Sequence, residues 1–193
     1  MRLLFALLII PLLAACLPPQ ADPRVNVEKD LFAARHWNVA VMDLDYSPLE
    51  GKHQDMLVTA VSAGPDAGRT IASLLANELA RLDNVAVIER GQMGKLLEEH
   101  KLQLSGITSE SSAVEIGEIL GADAVVVGEV SDYLSWTSLA GNGSTVSFSA
   151  RMLDVKTGKV VASGSVSRIE KMMLAFQNAQ NLAIQFVEQI QKQ

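Results

Sequence analysis

The sequence predicts an α/β fold: one mixed β-sheet packed with helices into a sandwich, in the order β-α-β-α-α-β-β-β-α. Three observations predict it. Residues 85–130 alternate apolar runs rich in β-branched residues with stretches of helical spacing, reading as strand, helix, turn, helix, strand. Residues 66–82 carry one apolar stripe at i, i+3, i+4 spacing. Residues 146–166 alternate apolar and polar side chains around Lys156-Thr157-Gly158-Lys159, the pattern of an antiparallel hairpin.

Each element follows from its residues. Arg24 to Trp37 is ambiguous; Leu31, Ala34 and Arg35 are spaced for a short amphipathic helix. Asn38 to Leu44 is the first strand, with Val39, Val41 and Leu44 turned to the core. Tyr46 to Pro65 is a long connection holding Pro48, Gly51 and Gly64, and an apolar patch of Met56, Leu57, Val58 and Val61. That patch favours a short helix packed on the sheet. The second reading is a partner-facing loop with Tyr46, Leu49, Met56 and Leu57 as contacts, since long connections inside compact domains often carry function. Asp66 is placed to cap a helix with Ile71, Leu74, Leu75, Leu79 and Leu82 on its stripe.

Val85 to Ile88 is the next strand. Met93, Leu96 and Leu97 form a helix face opposite Glu98, Glu99 and Lys101, and Ser105-Gly106 breaks that helix. Ser112 and Glu115 make a capping box for the following helix. Ile116, Ile119 and Leu120 are its buried stripe, and Gly121 is its left-handed cap. Ala122 to Val130 is almost unbroken in apolar residues, as in a strand covered on both faces. Ser131 to Gly143 reads as a connection ending in a Gly141-Asn142-Gly143 turn. Val146, Phe148, Ala150 and Met152 alternate with Ser147, Ser149 and Arg151; Val160, Ala162 and Val166 continue on the next strand. Met172 to Ile190 is a long helix, with Met173, Phe176, Leu182, Ala183, Phe186, Val187 and Ile190 expected on the buried side.

The N-terminus speaks to location. Arg2 precedes an apolar run from Leu3 to Ala15, which is shorter than the ~20 residues a bilayer-spanning helix needs. It reads as a signal peptide. The run ends in Leu12-Leu13-Ala14-Ala15-Cys16, the pattern of a bacterial lipobox, and Cys16 is the only cysteine of the chain. Cys16 is therefore the expected lipidation site, and an internal disulfide or thiolate cluster is excluded. Three acyl chains, at ~0.8 kcal/mol per buried CH₂, would hold the protein firmly to a membrane. Leu17, rather than an aspartate, follows Cys16; by likeness to lipoprotein sorting this points to the outer membrane, facing the periplasm. The expected organisation is a signal peptide over 1–15, a lipidated tether and lead-in over 16–37, and one α/β domain over 38–193.

Charge and motif content narrow the function. A formal net charge of −6 argues against nucleic acid, which requires a basic face. Asp43-Leu44-Asp45 ends the first strand, where α/β ligand sites often lie, but two carboxylates on opposite sides of a strand chelate poorly. His36, His53 and His100 show no metal or triad spacing. Gly91 and Gly94 lack the lysine–hydroxyl pair of a phosphate loop. The reading is non-catalytic, without cofactor or metal. Met172, Met173 and Phe176 are weighed as core ahead of partner surface, since helical spacing more often signals burial.

Three strings, VIERGQMGKLLEEHKLQLSG, EIGEILGADAVVVGEV and RMLDVKTGKVVASGS, resemble the CsgG-like curli-secretion lipoproteins in that order, across roughly Asn38 to Ser167. A more distant resemblance is to the LpoB-like activators of penicillin-binding proteins. The first resemblance implies a periplasmic α/β domain that forms a ring in the outer membrane, with two long hairpins per subunit building a barrel. Here Ser131 to Thr145 offers one modest hairpin extension, with Tyr133, Leu134 and Trp136 as its apolar content. Nothing after Ser167 supplies a second. The constriction loop of that family is aromatic, whereas Tyr46 is the only aromatic of the corresponding loop. The expectation is the domain without the pore.

Two roles follow: an assembly or secretion accessory of the curli-secretion type, homo-oligomeric in one form of the expectation, or an LpoB-like regulator of a periplasmic cell-wall synthase. The second calls for a long tether, and the stretch before Arg24 is short. In both, the partners are the membrane, through the lipid, and an unidentified periplasmic or outer-membrane protein.

Overall fold

Two segments of this chain are apolar on both faces, and the fold is what covers them. In the computed structural model, which describes residues 24–46, 58–100, 110–139 and 141–192, these are β2 (Trp37–Val41) and the first half of β6 (Ala124–Ser138). Val39, Val41, Ala124 and Val126 enter one apolar cluster, and Ala40, Val125 and Val127 enter a second on the other side. Helices α2 (Ala67–Leu79) and α5 (Ala175–Lys192) cover the first face; α3 (Arg90–Glu99) and α4 (Glu110–Leu120) cover the second. The α/β sandwich is the observed architecture.

The sheet runs β1-β8-β7-β6-β2-β5, where β1 is Arg24–Val27, β8 Val160–Lys171, β7 Gly141–Asp154 and β5 Val85–Val87. β2 lies parallel to both β5 and β6. Parallel neighbours need crossovers: α2 carries the chain from β2 to β5, and α3 and α4 carry it back to β6 on the opposite face. β6, β7 and β8 form an antiparallel meander. Beyond the end of β2, two more strands take over the same edge of β6: β3 (Asp45–Tyr46), parallel, and β4 (Val58–Ala63), antiparallel.

Several expected elements are shifted. Arg24 to Trp37 divides into the edge strand β1, antiparallel to β8, and the five-residue helix α1 (Lys29–Ala33), which buries Phe32. The helix expected within Tyr46–Pro65 is instead a strand over its described part, because the extended β6 offers Val58–Ala63 a ladder of hydrogen bonds. Asp66 is the N-cap of α2 by position, yet its side chain makes no cap bond. α4 begins at Glu110, so Ser112 and Glu115 sit inside the helix and do not form a capping box. Gly121 takes the left-handed conformation (φ 63°), and the Ala122 N–H donates to the Gly117 carbonyl (2.9 Å), closing α4. Ser131–Gly143 is mostly strand: β6 continues through a bulge between Val130 and Asp132, and it ends only at Ser138, opposite Gly141 of β7. Ser105-Gly106 lies outside the described residues.

One polar anchor joins the lead-in to the meander. Trp37 is fully buried, and its indole Nε1 donates to the Phe32 carbonyl (2.9 Å). The Arg35 guanidinium lies 3.9 Å from the centre of the Trp37 ring and donates to Asp154 Oδ2 at 2.5 Å. Asp154, at the end of β7, uses its other oxygen to accept from the Thr157 N–H (2.9 Å), which sets the turn into β8.

Candidate assembly and docking surface

The meander is longer than its helices cover, and the uncovered end is where the surface chemistry changes. Across that end the rows Val61–Trp136–Gly143–Lys171 and Ala63–Leu134–Thr145–Ile169 run through β4, β6, β7 and β8. Side chains two apart on a strand share a face, so Val61, Trp136, Ile169 and Lys171 lie on one side. Trp136 rests against Gly143, where a Cβ would come within 2.6 Å of the indole; only glycine leaves it that seat. On the other side Ser62, Ser135 and Ser144 line up facing α5.

The start of α5 is tied to this end by polar contacts. Met172 adopts a left-handed conformation (φ 57°), and its N–H donates to the Asn142 carbonyl (2.9 Å). The Ala175 N–H donates to Ser135 Oγ (3.0 Å), using a side chain of the sheet to satisfy the first helical turn. Asn178, fully buried, donates to Ser144 Oγ and to the Arg168 carbonyl, both at 3.2 Å. The helix therefore starts at Ala175, three residues later than its spacing suggested. Its buried stripe is Ala175, Asn178, Ala179, Leu182, Ala183, Phe186, Val187 and Ile190.

That register corrects the expectation for the methionine cluster. Met172 is 89% exposed and Phe176 52% exposed, and Met173 is only partly buried, so these residues are surface rather than core. Leu174, Leu139, Val61 and Ile169 are exposed beside them. A shallow groove of about 300 Å³ runs among Val61, Trp136, Asn142, Met172 and Leu174. The sequence carried one signal for this surface: no charged residue occurs between Asp132 and Arg151 or between Lys171 and Glu188.

The residues expected to carry function are dispersed. Cys16, Leu49, Met56 and Leu57 lie outside the described residues. Tyr46 ends β3 opposite Val130, half-buried against the core; burial first, and then the nearby Asp132 carboxylate, raise its pKa above the ordinary 10.0. Burial likewise raises Tyr133. Asp43 is held in an ion pair with Arg90 at the start of α3. His36, just before β2, and His100, at the C-cap of α3, are exposed and lie far apart in the chain. Among the described residues no three His, Cys, Asp or Glu side chains converge as metal ligands.

Residues 33–177, well over half of the chain, match the family described as curli production assembly/transport component CsgG. The chain belongs to the CsgG family. Sequence comparison with curated proteins returns no match. Among solved structures, this CsgG-family chain is similar to the PelC dodecamer from Paraburkholderia phytofirmans, with a TM-score of 0.58 and 19% identity over 88% of this chain and 96% of that one. It is also similar to lipoprotein GNA1162 from Neisseria meningitidis (TM-score 0.55, 20% identity, 81% and 99% covered). The LpoB C-terminal domain from Salmonella enterica aligns with a TM-score of 0.47 and 16% identity, over 69% and 84% of the chains. At these identities the PelC and GNA1162 structures share the fold alone. The CsgG-family fold is thus present here, with a meander whose first hairpin has strands 15 and 14 residues long.

Proposed function

We propose that this protein is a lipid-anchored, outer-membrane lipoprotein facing the periplasm, a non-catalytic accessory that assembles into a closed ring and supports the export or assembly of an envelope structure. The observation that carries the reading is the pair of unlike strands at the two ends of the sheet order: β1 stands at one end and β5 at the other. Open edges are usually covered, and two unlike edges suit a head-to-tail contact, which closes into a ring when the rotation per subunit allows. The likeness to a PelC dodecamer along nearly its whole chain supports the same arrangement. The Tyr46–Pro65 connection, through Tyr46, Leu49, Met56 and Leu57, is proposed to face the partner.

The anchor is tested by Cys16→Ala. The variant is expected to leave the membrane fraction and appear in the soluble periplasm with its unfolding transition unchanged. Persistence of Cys16→Ala in washed outer membranes would overturn the lipid anchor.

A further inference from the structure

We infer that the cleft beyond the carboxyl ends of β2 and β5 binds a small zwitterion with an apolar side chain, of the class of a free apolar amino acid or dipeptide. Neither the ring nor the lipid anchor is needed for it.

The place follows from the topology. β5, β2 and β6 are parallel, so their carboxyl ends open on one side of the sheet, where α/β folds bind small ligands. Beyond β2 and β6 that space is filled by β3, which sets Asp45 opposite Glu129 and Tyr46 opposite Val130. Beyond β2 and β5 it is left open, as a cleft of about 290 Å³ between α2 and the start of α3. That volume lies at the small end of ligand pockets, ~300–1,000 Å³, and suits a molecule no larger than a dipeptide.

The lining is apolar on the strand side, where Val41, Val87 and Ile88 meet Met93 of α3. On the other side stand Ser73, Ala76, Asn77 and Ala80. Their spacing puts them on one flank of α2, away from Ile71, Leu75 and Leu79, which pack on the sheet. None of the four is charged or long, so this flank leaves room for an apolar group. The Ser73 hydroxyl is spent on the Arg69 carbonyl (2.9 Å). The exposed Asn77 amide makes no hydrogen bond among the described residues and is available to a ligand.

Charge selects the occupant. Glu89 and Arg90, consecutive at the start of α3, both line the cleft. Arg90 is already neutralised by Asp43 through one terminal nitrogen, which leaves further N–H groups of its guanidinium to donate. Glu89 accepts the Gln92 N–H at one carboxylate oxygen (3.1 Å) and forms no ion pair among the described residues. The unbalanced charge on the rim is therefore negative, with a guanidinium beside it. An α-amino carboxylate answers both groups: its ammonium goes to Glu89 and its carboxylate to the spare N–H groups of Arg90. Its side chain then meets the apolar lining. An acid without an amine is repelled by Glu89, and a capped peptide brings no charge to either group.

The test is ligand-observed saturation-transfer NMR on the mature chain carrying Cys16→Ala. Leucine and leucyl-leucine are the probes, and N-acetyl-leucinamide is the uncharged control. Both free probes are expected to bind, and the capped one to bind ~10-fold more weakly or worse, the size of a lost hydrogen bond to a charged group. Glu89→Gln keeps an oxygen for the Gln92 N–H and removes only the charge. It is expected to weaken leucine binding ~10-fold with the unfolding midpoint unchanged. Asn77→Trp replaces an exposed side chain with one that fills the cleft, and is expected to abolish binding. No saturation transfer to either free probe, or equal affinity for N-acetyl-leucinamide, would overturn the site. So would leucine binding that survives either variant undiminished.

Discussion

Leu79→Asp is expected to abolish the folded domain. Leu79 closes the last turn of α2 at 3% exposure, in a pocket made with Leu75, Phe186, Val187 and Ile190 of the facing α5 and with Val126 and Met152 of the sheet. Truncating a leucine at such a site costs ~2–5 kcal/mol by lost transfer and residual cavity. Aspartate adds a carboxylate among these apolar side chains, and a buried charge that goes unpaired there costs ~3–5 kcal/mol more. The sum is comparable to the whole stability of an ordinary domain, ~5–15 kcal/mol. The measurement is near-ultraviolet circular dichroism of the mature chain carrying Cys16→Ala, with and without Leu79→Asp. Loss of the aromatic signal and of a cooperative transition is the expected result. A native spectrum would show that α2 presents a different face to the sheet.

Trp37→Ala is expected to destabilise the protein by ~3–5 kcal/mol, the range for removing a buried aromatic. Its effect reaches past its own cavity. The ring stacks on Phe32 with centroids 6.5 Å apart and planes 15° from parallel, and it forms the floor under Arg35. Without it, the arginine that neutralises the buried Asp154 loses its support, and the joint between β2 and the end of β7 loosens. Trp37→Phe keeps the apolar floor and is expected to recover most of the loss. Urea unfolding followed by far-ultraviolet circular dichroism reads this as a lower midpoint at unchanged slope. An unaltered midpoint for Trp37→Ala would mean that Arg35 and Asp154 hold the joint alone.

The elements that were legible in the sequence are those whose burial is decided locally. β2 and the first half of β6 are apolar on both faces, so their central place follows from composition. α2 has an apolar stripe about three turns long, and the Lys156–Lys159 turn has its glycine in the left-handed region (φ 68°). Long-range pairing decided what was not legible. Val58–Ala63 has no strong period, and it is a strand because β6 runs past the end of β2 and presents an open edge. The full length of β6 was hidden by polar Ser131-Asp132. The bulge there shifts the alternation, so that Val130 and Tyr133, three positions apart, both enter the cluster under α2 and α5. The start of α5 was misplaced because Met172, Met173 and Phe176 fit the helical period. The Asn142 and Ser135 contacts set the true start, and the fully buried Asn178 takes the place a hydrophobic residue would have filled.

The same distinction holds for the surface. Cys16 was readable from its neighbours alone. The hairpin end was not, because its apolar side chains come from β4, the β6–β7 turn, β8 and α5, and only the sheet register brings them together. Its one trace in the sequence is the absence of charge from the two runs that build it.

Unlike sheet edges of successive copies are proposed to meet and close a ring. The most direct measurement is the native mass of the mature lipoprotein, solubilised in mild detergent, beside a soluble form carrying Cys16→Ala. A single closed species of many copies, retained at least in the lipidated form, is the predicted result. A monomer in both forms would contradict the ring and leave β1 and β5 as edges for a different partner.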